Sequence, residues 1–282
     1  MEPHPENHDH ITYRTCIINS PADAKILFVA GYSAICEREG RPGVLLKVPL
    51  PFPENERAME IEKQVYRRLG KHPNLVEVTD IDEWGIYLKK AEPGCLRLYY
   101  DQGGVATPEE RLKWCRDLAQ VLHYVHENGI RHADLAGKNL LVDSSRNILL
   151  CDFSGSSVDG ETAIIIAGAG FRHPDREHYR PPTVLGEIHA LGPTIYEIVT
   201  GRKPFHEKTS DQDREVDELT EQGKYPDVSK LPLGDVIAKC WKRDGFFNSA
   251  ADVAEEIARQ AAKANYHTSA PRYLVRNGLG FP

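Results

Sequence analysis

Short apolar stretches punctuated by glycine, proline and charged residues fill the first third of the chain, and longer runs with helical spacing fill the rest. Residues 25–30, 43–48, 75–78 and 85–89 read as strands, each a short apolar run between turn formers. Residues 55–69 read as a helix between the second and third of these, with Ile61, Val65 and Leu69 at four-residue spacing and His72-Pro73-Asn74 as its stop. Thr107-Pro108-Glu109-Glu110 marks another helix start: threonine as N-cap, proline in the first turn, glutamate three after the cap. Leu112, Cys115, Leu118, Leu122 and Val125 then make one apolar face, closed by Asn128-Gly129. Further helices are expected over 185–199, 214–222, 233–243 and 249–262, and short strands at Leu140-Leu141-Val142 and Ile148-Leu149-Leu150. A small β-rich half followed by a larger α-rich half predicts an α+β, two-lobed architecture.

Composition narrows the class. With 282 residues and 40% apolar side chains, the chain can build a sizeable core. A net charge of −7 argues against a generic nucleic-acid or anionic-membrane surface. No run approaches the roughly 18 apolar residues that span a bilayer, and residues 1–10 lack the apolar stretch of a signal peptide. An intracellular, cytoplasmic setting is the expectation, with nothing in the sequence against a nuclear one. Cys16, Cys36, Cys95, Cys115, Cys151 and Cys240 form no C-x-x-C pairs. They read as buried thiols, not as a disulfide framework or zinc site. His4, His8 and His10 read as part of a tail.

The chemistry concentrates in His132-Ala133-Asp134-Leu135-Ala136-Gly137-Lys138-Asn139 and, thirteen positions after Asn139, Asp152-Phe153-Ser154-Gly155. The Asp134 carboxylate can accept a proton from an attacking hydroxyl, and Asn139 and Asp152 can hold magnesium on a nucleotide triphosphate. Phosphoryl transfer needs little covalent help from protein, so positioning and charge neutralisation are most of the work. Upstream, Lys47 ends a strand and Glu62 lies fifteen residues later on the helix.

Together these segments resemble the catalytic loop, the D-F-G turn and the strand-lysine/helix-glutamate pair of eukaryotic-type protein kinases. The resemblance runs from about residue 25 to 262, with Ala190-Leu191-Gly192, Pro204-Phe205 and Cys240-Trp241 as further points of likeness. It implies a kinase domain over 21–265 (a β-rich lobe to about 91, a helical lobe from about 92) between tails at 1–20 and 266–282. It implies MgATP as donor and a protein as acceptor. Asp134 would be the base and Lys138 would neutralise the transferred group. Asn139 and Asp152 would bind metal, and Lys47 with Glu62 would align the phosphates. Gly31, Cys36, Leu88, Ala91 and Leu141 would surround the nucleotide, Leu88 as gatekeeper and Leu141 as the floor beneath the base.

Several positions depart from the family pattern. Ala133 replaces an arginine that contacts a phosphorylated loop, which argues against that switch here. Ser154 replaces the turn glycine, so a stiffer loop is expected. Gly31 alone remains of three loop glycines. Leu45 replaces a small residue above the base. Asp175 in His173-Pro174-Asp175 is expected to lack its arginine, because Phe247-Asn248 stands where that partner would be. Glu187 replaces the aspartate that anchors the catalytic loop. The catalytic loop looks nearer the tyrosine-kinase spacing, while the commonness of serine/threonine kinases favours those hydroxyls. Leu45 and the sparse glycines keep open a pseudokinase scaffold, and the H-x-D-x-x-x-x-N logic keeps open a small-molecule phosphotransferase resembling aminoglycoside kinases.

Overall fold

The computed structural model describes residues 17–269. Its amino-terminal lobe is a five-stranded antiparallel sheet, β1 (Ala24–Ala30), β2 (Ser33–Arg38), β3 (Val44–Pro49), β4 (Val78–Ile81) and β5 (Ile86–Lys89), in the order β1-β2-β3-β5-β4. Helix α1 (Pro53–Leu69) follows β3, starting at a proline and buried along Ala58, Met59, Glu62, Val65, Tyr66 and Leu69. Strand β2 was not among the expected strands. Ala34, Ile35 and Cys36 are a short apolar run whose pairing shows only once the Gly31-Tyr32 hairpin turn is in place.

The expected strand at 75–78 forms differently. Leu75 makes a lone bridge to Leu150, and β4 begins only at Val78. Val76 donates to the Leu150 carbonyl, Leu150 to that of Asn74, and the Asn74 amide to that of Ile148. The segment after the His72-Pro73 turn is thereby spent on docking one lobe to the other.

The second lobe contains β6 (Gly94–Cys95), α2 (Leu96–Asp101), α3 (Pro108–Glu127), β7 (Ile130–Arg131), β8 (Leu140–Val142), β9 (Ile148–Leu150), β10 (Ser157–Val158), α4 (Val184–Thr200), α5 (Asp213–Glu221), α6 (Gly234–Cys240) and α7 (Ala250–Ser269). Helix α3 opens with the expected capping box: Glu110 N–H donates to Thr107 Oγ1 and Thr107 N–H to Glu110 Oε2. Its face of Trp114, Cys115, Leu118, Leu122 and Val125 is fully buried, each large side chain contributing about 1.5–3 kcal/mol of burial. Helix α6 starts one residue late, because Leu233 takes a left-handed conformation (φ 58°), and it ends at Cys240, short of the expected 243. Helices α4 and α6 touch at Gly192, where a Cβ would fall 2.9 Å from Cys240 Cβ and 3.0 Å from Trp241 Nε1. One continuous apolar core runs from Met59 and Val65 in the first lobe through α3 and α4 to α7.

Candidate active site

Strand register decides which side chains enter the cleft between the lobes. Successive residues of a strand face opposite ways, and directly paired residues share a face. Lys47 of β3 points toward the second lobe, where its Nζ meets Glu62 Oε2 at 2.6 Å and Asp152 Oδ1 at 2.7 Å. Its partner Ile35, and Leu45 with its partner Leu88, lie on that same face. Phe28, paired with Ile35, joins them.

Cys36 lies on the other face. It pairs with Leu46 and is wholly buried with Ala34, Val48 and Tyr87 in a separate small core. The expectation that Cys36 faces the cleft is therefore corrected: Ile35 and Phe28 lie on the face that carries Lys47. Counting the alternation from Lys47 across the hairpin would have found them. Gly31 sits at the hairpin tip with φ 56°, where its lack of a side chain is needed. Leu141 is half-buried on β8, paired with Cys95. Ala91 lies in the linker between β5 and β6, after Lys90 has donated to the Gly43 carbonyl.

The loop before β8 is held from beneath. Glu187 of α4 accepts from the backbone N–H of His132 (2.9 Å) and Ala133 (2.7 Å). Its Oε2 also meets His126 Nε2 at 2.9 Å. Burial pushes the Glu187 carboxyl up, and the His126 contact with nearby imidazole charge outweighs it, leaving the group below the usual carboxylate range. Ala133 holds φ 69°, an uncommon conformation for a residue with a Cβ, stabilised by that anchor.

A second buried carboxylate, Glu197, accepts from Gly137 N–H at 2.9 Å and takes both arms of Arg97. A Cβ on Gly137 would lie 2.4 Å from the Glu197 carboxyl carbon, so a side chain there would displace the carboxylate from its Gly137 and Arg97 donors. Between these anchors stands Asp134, 6% exposed. Asn139 Nδ2 donates to its carbonyl (2.8 Å) and to Oδ2 (3.1 Å). Lys138 Nζ meets Oδ2 at 2.7 Å. The roles of Arg97, Glu197 and His126 were not foreseen, because each acts across sixty or more residues with no local pattern to mark it.

Asp152 closes the site from the other side. It holds φ 66° and accepts from Lys47 and from Ser154 Oγ, both on Oδ1. Burial alone would raise this carboxyl, but the Lys47 charge and hydrogen bond, with the Ser154 hydroxyl, hold it far below its usual range. Burial would likewise lower Lys47, and the two carboxylates outweigh it. Glu62 has no exposure and is raised by burial. The Phe153 N–H donates to Glu62 Oε1 at 3.2 Å, and its ring stands between Tyr66 (edge-on, 5.4 Å) and His132 (4.9 Å). The glutamate on α1, the turn and the catalytic loop therefore hold one another in place. Cys95 and Cys151, expected as buried thiols, are half-buried beside this cleft, their Sγ atoms donating to the carbonyls of Lys138 and Asn139.

Asp175 departs from expectation. Its partner is Arg243, which pairs with it through both guanidinium arms, Nε at 2.9 Å. The arginine lies just past α6, ahead of the place the sequence pattern assigned it. His173 is buried beside it and accepts from Asp175 N–H at 3.0 Å.

The donor set suits magnesium bound with a nucleotide. Asn139 spends its amide hydrogens on Asp134, which leaves its carbonyl oxygen, and Asp152 Oδ2 receives no donor among the described residues. Magnesium is commonly held by one or two carboxylates plus substrate phosphates, and not by an all-protein cage. Accordingly no cluster of three or more His, Cys, Asp or Glu ligands occurs among the described residues. A cavity of about 670 Å3 lined by Tyr66, His72, Lys89 and Ala91 includes none of Lys47, Asp134, Asn139 and Asp152, so volume does not mark the site.

Residues 49–255 match the protein kinase domain family, and the chain belongs to it. Lys47 falls just outside the matched span, so its place rests on the geometry above. The chain is 28% identical over 143 residues to the serine/threonine-protein kinase PrkC of Bacillus subtilis, covering 48% of this chain and 22% of that protein. It is 29% identical over 154 residues to the serine/threonine-protein kinase mos of Patiria pectinifera, covering 49% and 44%. It is 29% identical over 197 residues to the receptor tyrosine-protein kinase erbB-4 of Homo sapiens, covering 66% and 14%. The chain thus spans less than half the length of each of these relatives. No helix among the described residues is long and apolar enough to cross a membrane.

Proposed function

We propose that this kinase domain is catalytically active and transfers the γ-phosphate of MgATP to a protein serine or threonine hydroxyl. The observation that carries the reading is the Lys47–Glu62–Asp152 network together with the Asp134–Lys138–Asn139 cluster: each charged role in phosphoryl transfer has an occupant. Asp134 accepts the proton of the attacking hydroxyl. Its second contact, Lys138, is 46% exposed at the side chain and free to turn toward the transferred group. Lys47, aligned by Glu62, binds phosphate oxygens of the donor. Asn139 and Asp152 hold magnesium, which when bound neutralises charge on the phosphates and orients them. Ile35, Phe28, Leu45, Leu88 and Leu141 enclose the base, while Ala91 offers backbone groups to its edge.

Two of the three relatives above are serine/threonine kinases, which supports that acceptor class. Ala136 and Lys138 resemble the tyrosine-kinase loop and support the other. Incubation with labelled MgATP and a mixed protein acceptor, followed by phosphoamino-acid analysis, separates them. Phosphoserine or phosphothreonine is expected. Phosphotyrosine alone would overturn the acceptor assignment. Label on a sugar or antibiotic with none on protein would overturn the reading itself.

A further inference from the structure

We propose that Ser154, at the place of the family's turn glycine, is a positioning residue that fixes the Asp152 carboxylate for magnesium before the nucleotide arrives. The inference rests on the kinase reading above and assigns a role to a residue that reading leaves idle.

A serine at this place would strain the chain if the turn needed a left-handed residue there. It does not: the positive φ falls on Asp152, at 66°, and Ser154 is absent from the left-handed set. The side chain is therefore gained without backbone strain. Ser154 is 8% exposed, and its Oγ donates to Asp152 Oδ1 at 2.7 Å. Lys47 Nζ reaches the same oxygen at 2.7 Å.

Two donors on one oxygen fix the terminal torsion of a carboxylate, which is otherwise broad and roughly two-fold. Oδ2 receives no donor among the described residues and keeps its lone pairs for a cation. The hydroxyl orders the group without consuming the oxygen that binds. Glycine supplies nothing comparable: with it, Lys47 alone would set the torsion, and Lys47 must also serve the donor phosphates.

The test is nucleotide binding by titration calorimetry, with and without magnesium, on wild type, Ser154→Ala, Ser154→Gly and Ser154→Thr. Losing one hydrogen bond to an ionised acceptor corresponds to on the order of 10- to 100-fold. The magnesium-dependent gain in nucleotide affinity should fall by that factor in the alanine and glycine variants and return in the threonine variant. Affinity without magnesium should stay at the wild-type value in all four, which a merely structural role would not preserve. The magnesium concentration for half-maximal activity should rise in parallel, with the KM for acceptor protein unchanged. A gain equal to wild type in Ser154→Ala would overturn the assignment alone. Absence of any magnesium-dependent gain in wild type would overturn the kinase reading and this assignment together.

Discussion

Lys47 and Asp152, 105 residues apart in the chain, are joined at 2.7 Å across the two lobes. The same ammonium meets the fully buried Glu62 at 2.6 Å. Removing it leaves two carboxylates near each other with no cation, one without any exposure. Lys47→Met should therefore cost on the order of 3 kcal/mol of stability and, through lost alignment of the donor, about 10²-fold in phosphate transfer. Urea unfolding and kcat/KM measure the two effects. An unchanged unfolding midpoint would mean that Glu62 is not held as an ion here.

Arg97 and Arg243 make similar-looking bidentate pairs, but burial separates their consequences. The Glu197 side chain is 1% exposed, so Arg97→Ala strands a buried charge whose remaining partner is Gly137 N–H. A loss of about 3 kcal/mol is expected, with a drop in kcat because Gly137 adjoins Lys138 and Asn139. Arg243 is 55% exposed at the side chain and Asp175 25%, so Arg243→Ala should cost far less than Arg97→Ala. Equal losses in chemical denaturation would contradict this ordering.

Acid sensitivity should centre on His189. Burial, with the nearby His173, pulls its imidazole down to about 3 from an ordinary 6.5. It is enclosed by the Phe171 carbonyl, the Tyr225 hydroxyl and His173, itself lowered by burial. The unfolded chain binds a proton below about 6.5 that the folded protein refuses. The stability contributed by neutral His189 is complete above that pH and is lost as pH falls toward 3. His189→Gln, which keeps a partner for Tyr225, should flatten the unfolding free energy between pH 6.5 and 4. An unchanged slope would place the acid sensitivity elsewhere.

The Asp134 loop and the Asp152 turn were legible in the sequence because their spacing is local: Asp134, Lys138 and Asn139 share one loop, and Asp152 comes after one hairpin. The Thr107 cap and the α3 face were legible for the same reason. Cys36 was misplaced because one residue of register moves a side chain to the opposite face of a sheet. Leu75 failed as a strand start because the backbone of its neighbours Asn74 and Val76 is spent on Leu150, a contact that no local pattern announces. Arg243 was missed as the partner of Asp175 because α6 ends at Cys240 and the turn after it brings Arg243, four residues ahead of Phe247, to the carboxylate. Glu187 was foreseen as an anchor, but not that His126 would share it.

His126 gives that anchor a test of its own. His126→Ala leaves Glu187 with its two backbone donors but without the imidazole, and opens a small gap in a buried site. It should lower stability by about 1–3 kcal/mol and lower kcat more than KM, since the loop it steadies carries Asp134. His126→Gln should recover part of both. A variant with altered KM and unchanged kcat would show that the anchor does not act on the catalytic loop.

The central claim is that Asp134 and Asp152 do distinct work in one phosphoryl-transfer site, and single-turnover phosphate transfer from labelled MgATP tests it most directly. Asp134→Asn should bind MgATP like wild type and transfer about 10²- to 10⁴-fold more slowly. Asp152→Asn should lose magnesium-dependent binding as well as transfer. Wild-type transfer rates in both variants, or a wild type that neither transfers phosphate nor gains melting temperature with MgATP, would contradict the account.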